Sequence, residues 1–260
     1  MGTTKAALDP TNSCVESGTA TSGVHNNRMR LFIGIPLPHD VAVSLSGLML
    51  QRANIKLYPK ASVPPPENLH ITLKFIGEVD EACIPSIINS LSDTVHHRCI
   101  GPAQESPLSS LDISIDKAGA FLRAGIVYAN VVPTPALSSL AALVEETLHT
   151  RCSLQKENRA YHPHITLARI RRTGKKRVDD RQRTSGQAPV GNESPHIHGF
   201  EVKHFTAKSF ALYRSHRAVH QGDNRPALEG EHGDRNPNVY EVLHSWDLGL
   251  PLAEPLDLVL

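Results

Sequence analysis

The stretch PPENLHITLKFIGEV, residues 65–79, decides the fold of this 260-residue chain. Its prolines favour an extended approach to a segment in which apolar and polar residues alternate. A period of two predicts a β-strand that buries one face and presents the other. The apolar set is Leu69, Ile71, Leu73 and Phe75, and the polar set is His70, Thr72 and Lys74.

The tetrapeptide HITL occurs twice, at 70–73 and at 164–167 within PHITLARI (163–170). Both copies follow a proline-containing approach, which suggests a duplicated half-domain. Residues i and i+2 of a strand point to the same side, about 6.5–7 Å apart, so each histidine shares a face with its own threonine. Two strands of this kind are predicted to line one cleft.

The rest of the chain alternates between strand and helix patterns. Strands are predicted at 29–35, 111–115, 125–131, 205–213 and 239–248, and helices at 41–49, 84–95 and 134–149. Thr134 followed by Pro135 is a typical helix start. This order predicts an α+β fold with antiparallel sheets in two similar halves.

The domain boundaries follow from composition. Residues 1–28 are small and polar and are expected to form a disordered leader, and residues 29–250 a single domain. Polar inserts near 171–198 and 215–237 are expected to be mobile surface loops, and 251–260 a C-terminal tail.

The charge balance excludes a protein that coats nucleic acid, because 27 Lys and Arg face 26 Asp and Glu, for a net charge of +1. The four cysteines form no CxxC pair, which argues against a zinc ribbon or a disulfide scaffold. No apolar run approaches the roughly 20 residues that span a bilayer. We expect a cytoplasmic protein without a membrane partner.

Two histidines and two threonines supply the groups that hydrolysis of a cyclic phosphate needs. One histidine can activate water, the other can protonate the departing ribose oxygen, and the hydroxyls can donate to the phosphate oxygens. Histidine suits both proton roles because its ordinary pKa lies near neutrality. These groups require neither a metal nor a cofactor, so we expect none.

Three alternatives stay open at this point. A single His-x-Thr is more often an exposed polar face of a sheet than a site. The 15 histidines invite a metal site, with His162-x-His164, His96-His97 and His196-x-His198 as the densest groups, but zinc needs three or four converging ligands and no spacing here resembles HExxH. A basic run around Lys175, Lys176 and Arg177 is more simply a solvated loop than an RNA contact.

Three segments resemble the landmarks of a known enzyme family. MRLFIGIPLP (29–38), VPPPENLHITLKFIGEV (63–79) and YHPHITLARI (161–170) are similar to the RNA 2′,3′-cyclic phosphodiesterase (2′-5′ RNA ligase) branch of the 2H phosphoesterases, and FALYRSH (210–216) and VYEVL (239–243) resemble its closing strands. The resemblance implies a bilobal α+β fold with two pseudo-symmetric lobes around a central cleft. It implies hydrolysis of a 2′,3′-cyclic phosphate to a 2′-phosphate, and a reversible, ATP-independent ligation.

The resemblance also assigns roles to residues. His70 is expected to be the proton donor and His164 the proton acceptor, with Thr72, Thr166 and Arg169 binding the substrate phosphate. Arg169 is five residues past His164, so strict alternation puts it on the opposite face, and only a strand end, a bulge or a strong twist would bring it to the cleft.

Aromatic residues for base stacking are harder to place. Where relatives carry an aromatic ahead of the prolines, this chain has Ala61-Ser62-Val63. Phe75 and Tyr161 are candidates, although alternation favours a core position for Phe75. The expected partners are RNA or nucleotides with 2′,3′-cyclic phosphate ends, tRNA fragments among them, bound by a monomer. A non-catalytic protein that binds RNA ends in the same cleft is the second hypothesis, and an intact pair of His-x-Thr segments favours the enzyme.

Overall fold

A computed structural model describes residues 28–58, 61–100, 110–121, 124–170, 197–217 and 238–249. The tail, nearly all of the leader and most of both inserts fall outside these residues, as does the basic run at 175–177. Two predicted boundaries need adjustment. Arg28 already belongs to the first strand, and residues 215–217 extend a strand instead of beginning an insert.

The described elements alternate as an α+β protein requires. The strands are β1 (Arg28–Pro36), β2 (Ala61–Ser62), β3 (His70–Asp80), β4 (Leu111–Phe121), β5 (Ile126–Val131), β6 (His164–Ile170), β7 (Lys203–Ala207), β8 (Ser209–Arg217) and β9 (Asn238–Asp247). The helices are α1 (His39–Leu50), α2 (Arg52–Leu57), α3 (Ile84–Ile100) and α4 (Pro135–Cys152), with short 3-10 turns at Pro66–Asn68 and Glu81–Cys83.

All strand pairs in the described residues are antiparallel and belong to one sheet with the order β7-β4-β5-β6-β3-β1-β8-β9, with β2 paired to β6. The sheet has two similar halves. In one half the chain runs from β1 through α1, α2 and β2 to β3, and β1 pairs with β3. In the other half it runs from β5 through α4 to β6, and β5 pairs with β6. The halves meet where Ile71 of β3 pairs with Ile165 of β6. The predicted α+β class with two antiparallel halves is confirmed.

Helix α4 forms where the sequence predicts it. The Thr134 hydroxyl accepts a hydrogen bond from the Leu137 amide at 3.2 Å, and Pro135 occupies the first turn, where its missing amide costs nothing. The apolar stripe of the helix is buried, with Leu137, Leu140, Ala141, Val144 and Leu148 at most 5% exposed. The helix ends at Cys152, and the capping residue Ser153 has a left-handed backbone with a φ of 55°. No described helix is long and apolar enough to cross a membrane.

The strand predicted at 205–213 is wrong in one respect, because the structure divides it into β7 and β8. Strand β7 pairs with β4 at one edge of the sheet, whereas β8 pairs with β1 in the other half. The chain changes halves at Lys208, whose carbonyl accepts from the Leu248 amide at 2.7 Å. A periodicity of two continues across such a one-residue link, so sequence alone does not reveal it.

Candidate active site

A β-bulge interrupts both HITL strands at the same position. In β3, Thr72 pairs with Gly34 and Lys74 with Ile33, so Leu73 is an extra residue. In β6, Thr166 pairs with Tyr128 and Ala168 with Val127, so Leu167 is the extra residue. An extra residue reverses the faces of the residues that follow it up to the next register shift, which in β3 lies at Ile76 because Phe75 pairs with Phe32 and Gly77 with Leu31. The two bulges therefore exchange the core and cleft positions immediately after each motif.

The bulge at Leu73 overturns the predicted positions of Lys74 and Phe75. Lys74 is buried, with 6% of its surface exposed, and Phe75 is 50% exposed. Phe75 now pairs with Phe32 and shares a face with His70 and Thr72. The guanidinium of Arg30 lies 4.9 Å from the centre of the Phe75 ring. An aromatic ring thus faces the cleft where alternation predicted a lysine.

The bulge at Leu167 brings Arg169 to the cleft face. Arg169 pairs with Ile126, Thr166 with Tyr128 and His164 with Asn130. These three partners are two residues apart along β5. Residues two apart in β5 lie on one face, so their partners do as well. His164, Thr166 and Arg169 therefore line one surface, and Arg169 is the counterpart of Phe75 in the other half-site.

The four motif side chains are neighbours across the centre of the sheet. The Ile71–Ile165 pair, continued by one residue in each direction, sets His70 opposite Thr166 and Thr72 opposite His164. Side chains directly opposite each other on antiparallel strands have Cβ atoms about 4.5–5.5 Å apart. Each histidine thus has its own threonine beside it and the other strand's threonine across from it.

Both histidines are held in the same tautomer. The Nδ1 atom of His70 lies 2.8 Å from the carbonyl oxygen of Asn68, and that of His164 lies 2.8 Å from the carbonyl oxygen of His162. A carbonyl can only accept, so each Nδ1 donates its proton. In the neutral ring the lone pair is then on Nε2, which leaves this atom free for proton transfer.

His70 is packed in an aromatic cluster that the sequence did not reveal. Its ring stacks on Phe32 at 4.5 Å between centroids, and Tyr240 meets it edge-on at 5.3 Å. Phe32 in turn stacks on Tyr213 at 4.9 Å. These residues come from β1, β8 and β9, so only the pairing of distant strands brings them together.

His164 has a similar but more open setting. Phe121 and Tyr128 stack on each other at 4.1 Å, and both meet the His164 ring edge-on at 5.6 and 5.9 Å. The exposed His162 ring lies 6.2 Å from it. Asn130, the strand partner of His164, donates to Asp116 at 2.7 Å.

Burial lowers the pKa of both histidines. Burial is the largest effect on His70 and lowers its pKa to about 4. The hydrogen bond to the Asn68 carbonyl raises this pKa, and the charges of Arg169 and His164 lower it further. Burial also lowers the pKa of His164, where the charges of His162 and Arg169 act in the same direction. Arg169 thus influences both rings, and both are neutral near neutral pH when no anion is bound.

The low pKa of His70 predicts a loss of stability in acid. In the unfolded chain this ring has its ordinary pKa of 6.5, so between about pH 6.5 and pH 4 the unfolded state binds the additional proton. Stability from the neutral ring is therefore present above this window and lost as the pH falls through it. Between about pH 7 and pH 4.5 the wild type should lose on the order of 2 kcal/mol more than His70→Gln. Denaturant unfolding at both pH values checks this, and parallel pH curves would contradict it.

The other predicted residues have different positions. The Tyr161 hydroxyl donates to the Thr72 carbonyl oxygen at 3.2 Å, so Tyr161 connects the half-sites, and its burial raises its pKa. His96 and His97 lie on α3, and the His198 amide donates to the Asn54 side chain at 2.9 Å. Within the described part of the chain no three His, Cys, Asp or Glu side chains converge as a metal site would require.

Comparisons with known proteins identify the family of this chain. Residues 45–197 match the model of the 2′-5′ RNA ligase superfamily. An RNA 2′,3′-cyclic phosphodiesterase of Methanocaldococcus jannaschii is 28% identical over 223 residues, which cover 84% of this chain and 100% of the relative. An Escherichia coli protein of the same name is 28% identical over 142 residues, 54% of this chain and 71% of the relative.

Solved structures share the fold. Escherichia coli LigT with bound 3′-AMP superposes with a TM-score of 0.55 at 22% identity, over 86% of this chain and 100% of that one. A Thermus thermophilus protein gives a TM-score of 0.56 at 20% identity, over 85% and 98%. Because the family model spans more than half of the chain, this protein belongs to the 2′-5′ RNA ligase superfamily, the 2H phosphoesterase family that its two His-x-Thr segments resemble.

Proposed function

We propose that this protein is an enzyme that hydrolyses the 2′,3′-cyclic phosphate of RNA ends or nucleosides to a 2′-phosphate without a metal ion. The observation that carries the proposal is the paired arrangement of His70 and His164. Both rings are fixed at Nδ1 by a main-chain carbonyl, both have Nε2 free, and the other strand's threonine lies opposite each.

The proposed reaction needs one proton transfer at each histidine. Neutral His164 takes a proton from water at Nε2 as the water oxygen bonds to phosphorus. His70, protonated at Nε2, gives its proton to the 3′ oxygen as the bond from phosphorus to that oxygen breaks, and the phosphate stays on the 2′ oxygen. Because burial lowers the pKa of His70, the negative substrate has to raise this pKa for the ring to act as the donor.

The phosphate oxygens have donors on both strands. The Thr72 and Thr166 hydroxyls come from opposite sides of the central pair, and Arg169 adds a cation beside both histidines. Fixed donors of this kind stabilise the charge that develops on the phosphate during attack. We therefore assign Arg169 to binding of the substrate phosphate and not to a structural ion pair.

The relatives support the choice of substrate. Four curated relatives, from 26% to 28% identical, are named RNA 2′,3′-cyclic phosphodiesterase. LigT of Escherichia coli has been crystallised with 3′-AMP, NADP⁺ and ATP, so that protein accepts nucleotides in several forms. RNA ends, tRNA fragments among them, and nucleotides are accordingly the partners we propose for this chain.

Phe75 is the proposed contact for the base. Phe75 is 50% exposed on the cleft face, three residues after Thr72. Stacking of a base on such a ring contributes about 1–3 kcal/mol and tolerates any base. Ribose 2′,3′-cyclic phosphate without a base should therefore have a higher KM than the nucleosides, with little difference among the four bases.

Turnover in the presence of EDTA tests the proposed function. We expect the protein to convert each nucleoside 2′,3′-cyclic phosphate to the 2′-phosphate at the same rate with and without the chelator, measured by chromatography that resolves the two isomers. A 3′-phosphate product would contradict the roles assigned to His70 and His164. Activity that EDTA abolishes and added metal restores would contradict the metal-independent mechanism.

The same assay tests two further possibilities, ligation of RNA ends and binding of RNA ends without catalysis. Ligation is the same ring opening with a 5′-hydroxyl in place of water as the nucleophile, so a 5′-hydroxyl oligonucleotide should yield some 2′-5′ joined product without ATP. A protein that binds the cyclic phosphate but never converts it would be the non-catalytic RNA-end binder.

A further inference from the structure

The two half-sites have little direct backbone connection. Between β3 and β6 the described residues form a single strand pair, Ile71 with Ile165. By contrast, nine residue pairs join β1 to β3 within one half. Proton transfer from both sides of one phosphorus atom requires a fixed distance between the half-sites. Contacts beyond this pair, the two β2–β6 pairs Ala61–Ile170 and Ser62–Arg169 among them, must therefore hold β6 against β3.

Lys74 makes two side-chain contacts of this kind. The bulge at Leu73 turns its side chain into the protein, where the ammonium donates to the Glu145 carboxylate at 2.8 Å and to the Gln155 carbonyl oxygen at 2.8 Å. The Lys74 side chain is 5% exposed and that of Glu145 22%. Glu145 lies on α4, and Gln155 lies in the segment between α4 and His164.

Glu145 holds the same segment at a second point. The oxygen that accepts from Lys74, Oε1, also accepts from the Glu157 amide at 2.7 Å. One ion pair thus fixes two main-chain atoms, two residues apart, in the approach to His164. A little further along, the Tyr161 hydroxyl returns to the Thr72 carbonyl oxygen at 3.2 Å. The Lys74 and Tyr161 contacts link the first half-site to the residues that lead into the second, and the Glu145 carboxylate that pairs with Lys74 also holds those residues at Glu157.

We propose that Lys74 and Glu145 are positioning residues that set the distance between His70 and His164. Net stabilisation does not explain a buried ion pair well, because desolvation of the two charges offsets much of their attraction. Directed contacts to two backbone atoms account for its geometry better. The inference rests on the proposed function, since its main readout is turnover.

Replacement of the whole pair by apolar residues separates position from stability. In Lys74→Met/Glu145→Leu no charge is left unpaired, so the melting temperature should stay near that of the wild type, whereas the two backbone atoms lose their partners. We expect kcat for a nucleoside 2′,3′-cyclic phosphate to fall about 10- to 100-fold, with a smaller change in KM, because the alignment matters most in the transition state. Glu145→Leu alone should be as slow and should also melt earlier.

The ion pair made by the next residue of α4, Glu146, is the matched control. Glu146 pairs with Lys156, and their side chains are 58% and 44% exposed. Lys156→Met/Glu146→Leu makes the same chemical change one residue away and should leave kcat unchanged. A double variant at Lys74 and Glu145 that melts and turns over like the wild type would overturn the inference.

Two further measurements decide the remaining outcomes. If the double variant does not fold, Glu145→Gln is the variant to measure, because its amide keeps an oxygen in place of Oε1. It should retain most of the wild-type kcat. A large loss of kcat in folded Glu145→Gln would also overturn the inference. Absence of turnover in the wild type would instead contradict the proposed function. Crystal structures of the wild type and the double variant measure the distance between His70 and His164 directly. An unchanged distance counts against the inference.

Discussion

Substitution of either His70 or His164 by alanine should reduce turnover of a nucleoside 2′,3′-cyclic phosphate at least about 10³-fold, because each ring is expected to move a proton in the transition state. The two losses should not add. Once one proton transfer is lost the other cannot complete the same step, so the double variant should be little slower than the slower single variant. Steady-state kcat and KM of the three variants measure this effect.

The control for these variants is His97 on α3. Its Nδ1 also faces a main-chain carbonyl, that of Asp93, at 2.6 Å, but the residue is exposed on a helix. His97→Ala should therefore retain full activity. Undiminished turnover in both His70→Ala and His164→Ala would show that the reaction takes place elsewhere.

A substrate with a leaving group that needs no protonation distinguishes the donor from the acceptor. For a nucleoside 4-nitrophenyl phosphodiester, His70→Ala should lose much less activity than it does with the cyclic phosphate. His164→Ala should remain impaired with both, because water still has to be activated. The opposite pattern would reverse the two roles.

The sequence predicted the elements of this fold well where a single periodicity governs them. Alternation identified β3 and β6, and the apolar stripe and the Thr134 cap identified α4 within one residue of its start. The duplicated HITL also predicted two equivalent half-sites, and the Ile71–Ile165 pair now relates them directly. Local signals of this kind are contained in a few neighbouring residues.

The faces immediately after the motifs could not be predicted, because they depend on an extra residue at the end of each HITL segment. Alternation placed Lys74 at the cleft and Phe75 in the core, and the bulge at Leu73 reversed both. The equivalent bulge at Leu167 is what brings Arg169 to the cleft face. A bulge is visible only in the register with the partner strand, and no single-strand pattern contains that register.

The surroundings of the histidines were also beyond the reach of local patterns. Phe32, Tyr213 and Tyr240 meet at His70 from three strands that lie far apart in the chain. The ion pair of Lys74 with Glu145 joins residues separated by 71 positions. Such contacts follow from the order of strands in the sheet, so they had no signal in the sequence of either motif.

Gly34 should be the residue outside the motifs whose substitution costs most activity. It lies on β1 opposite Thr72, and a Cβ atom there would be 2.9 Å from the Ile71 carbonyl oxygen and 3.2 Å from Cδ2 of His70. The first neighbour is backbone, and the ring already stacks on Phe32 at 4.5 Å. Gly34→Ala should therefore displace His70 and reduce kcat/KM about 10²-fold, since a shift of about 1 Å in a catalytic group has an effect of this size.

Gly47 on α1 provides the matched control, because a Cβ atom there meets nothing within 4 Å. Gly47→Ala should keep full activity and raise the free energy of unfolding by about 0.5–1 kcal/mol, the gain expected for alanine inside a helix. Parallel assays of turnover and denaturant unfolding compare the two variants. If Gly34→Ala is as active as Gly47→Ala while both are folded, the His70 ring has room to move without loss of function, and close packing by Gly34 is not what positions it.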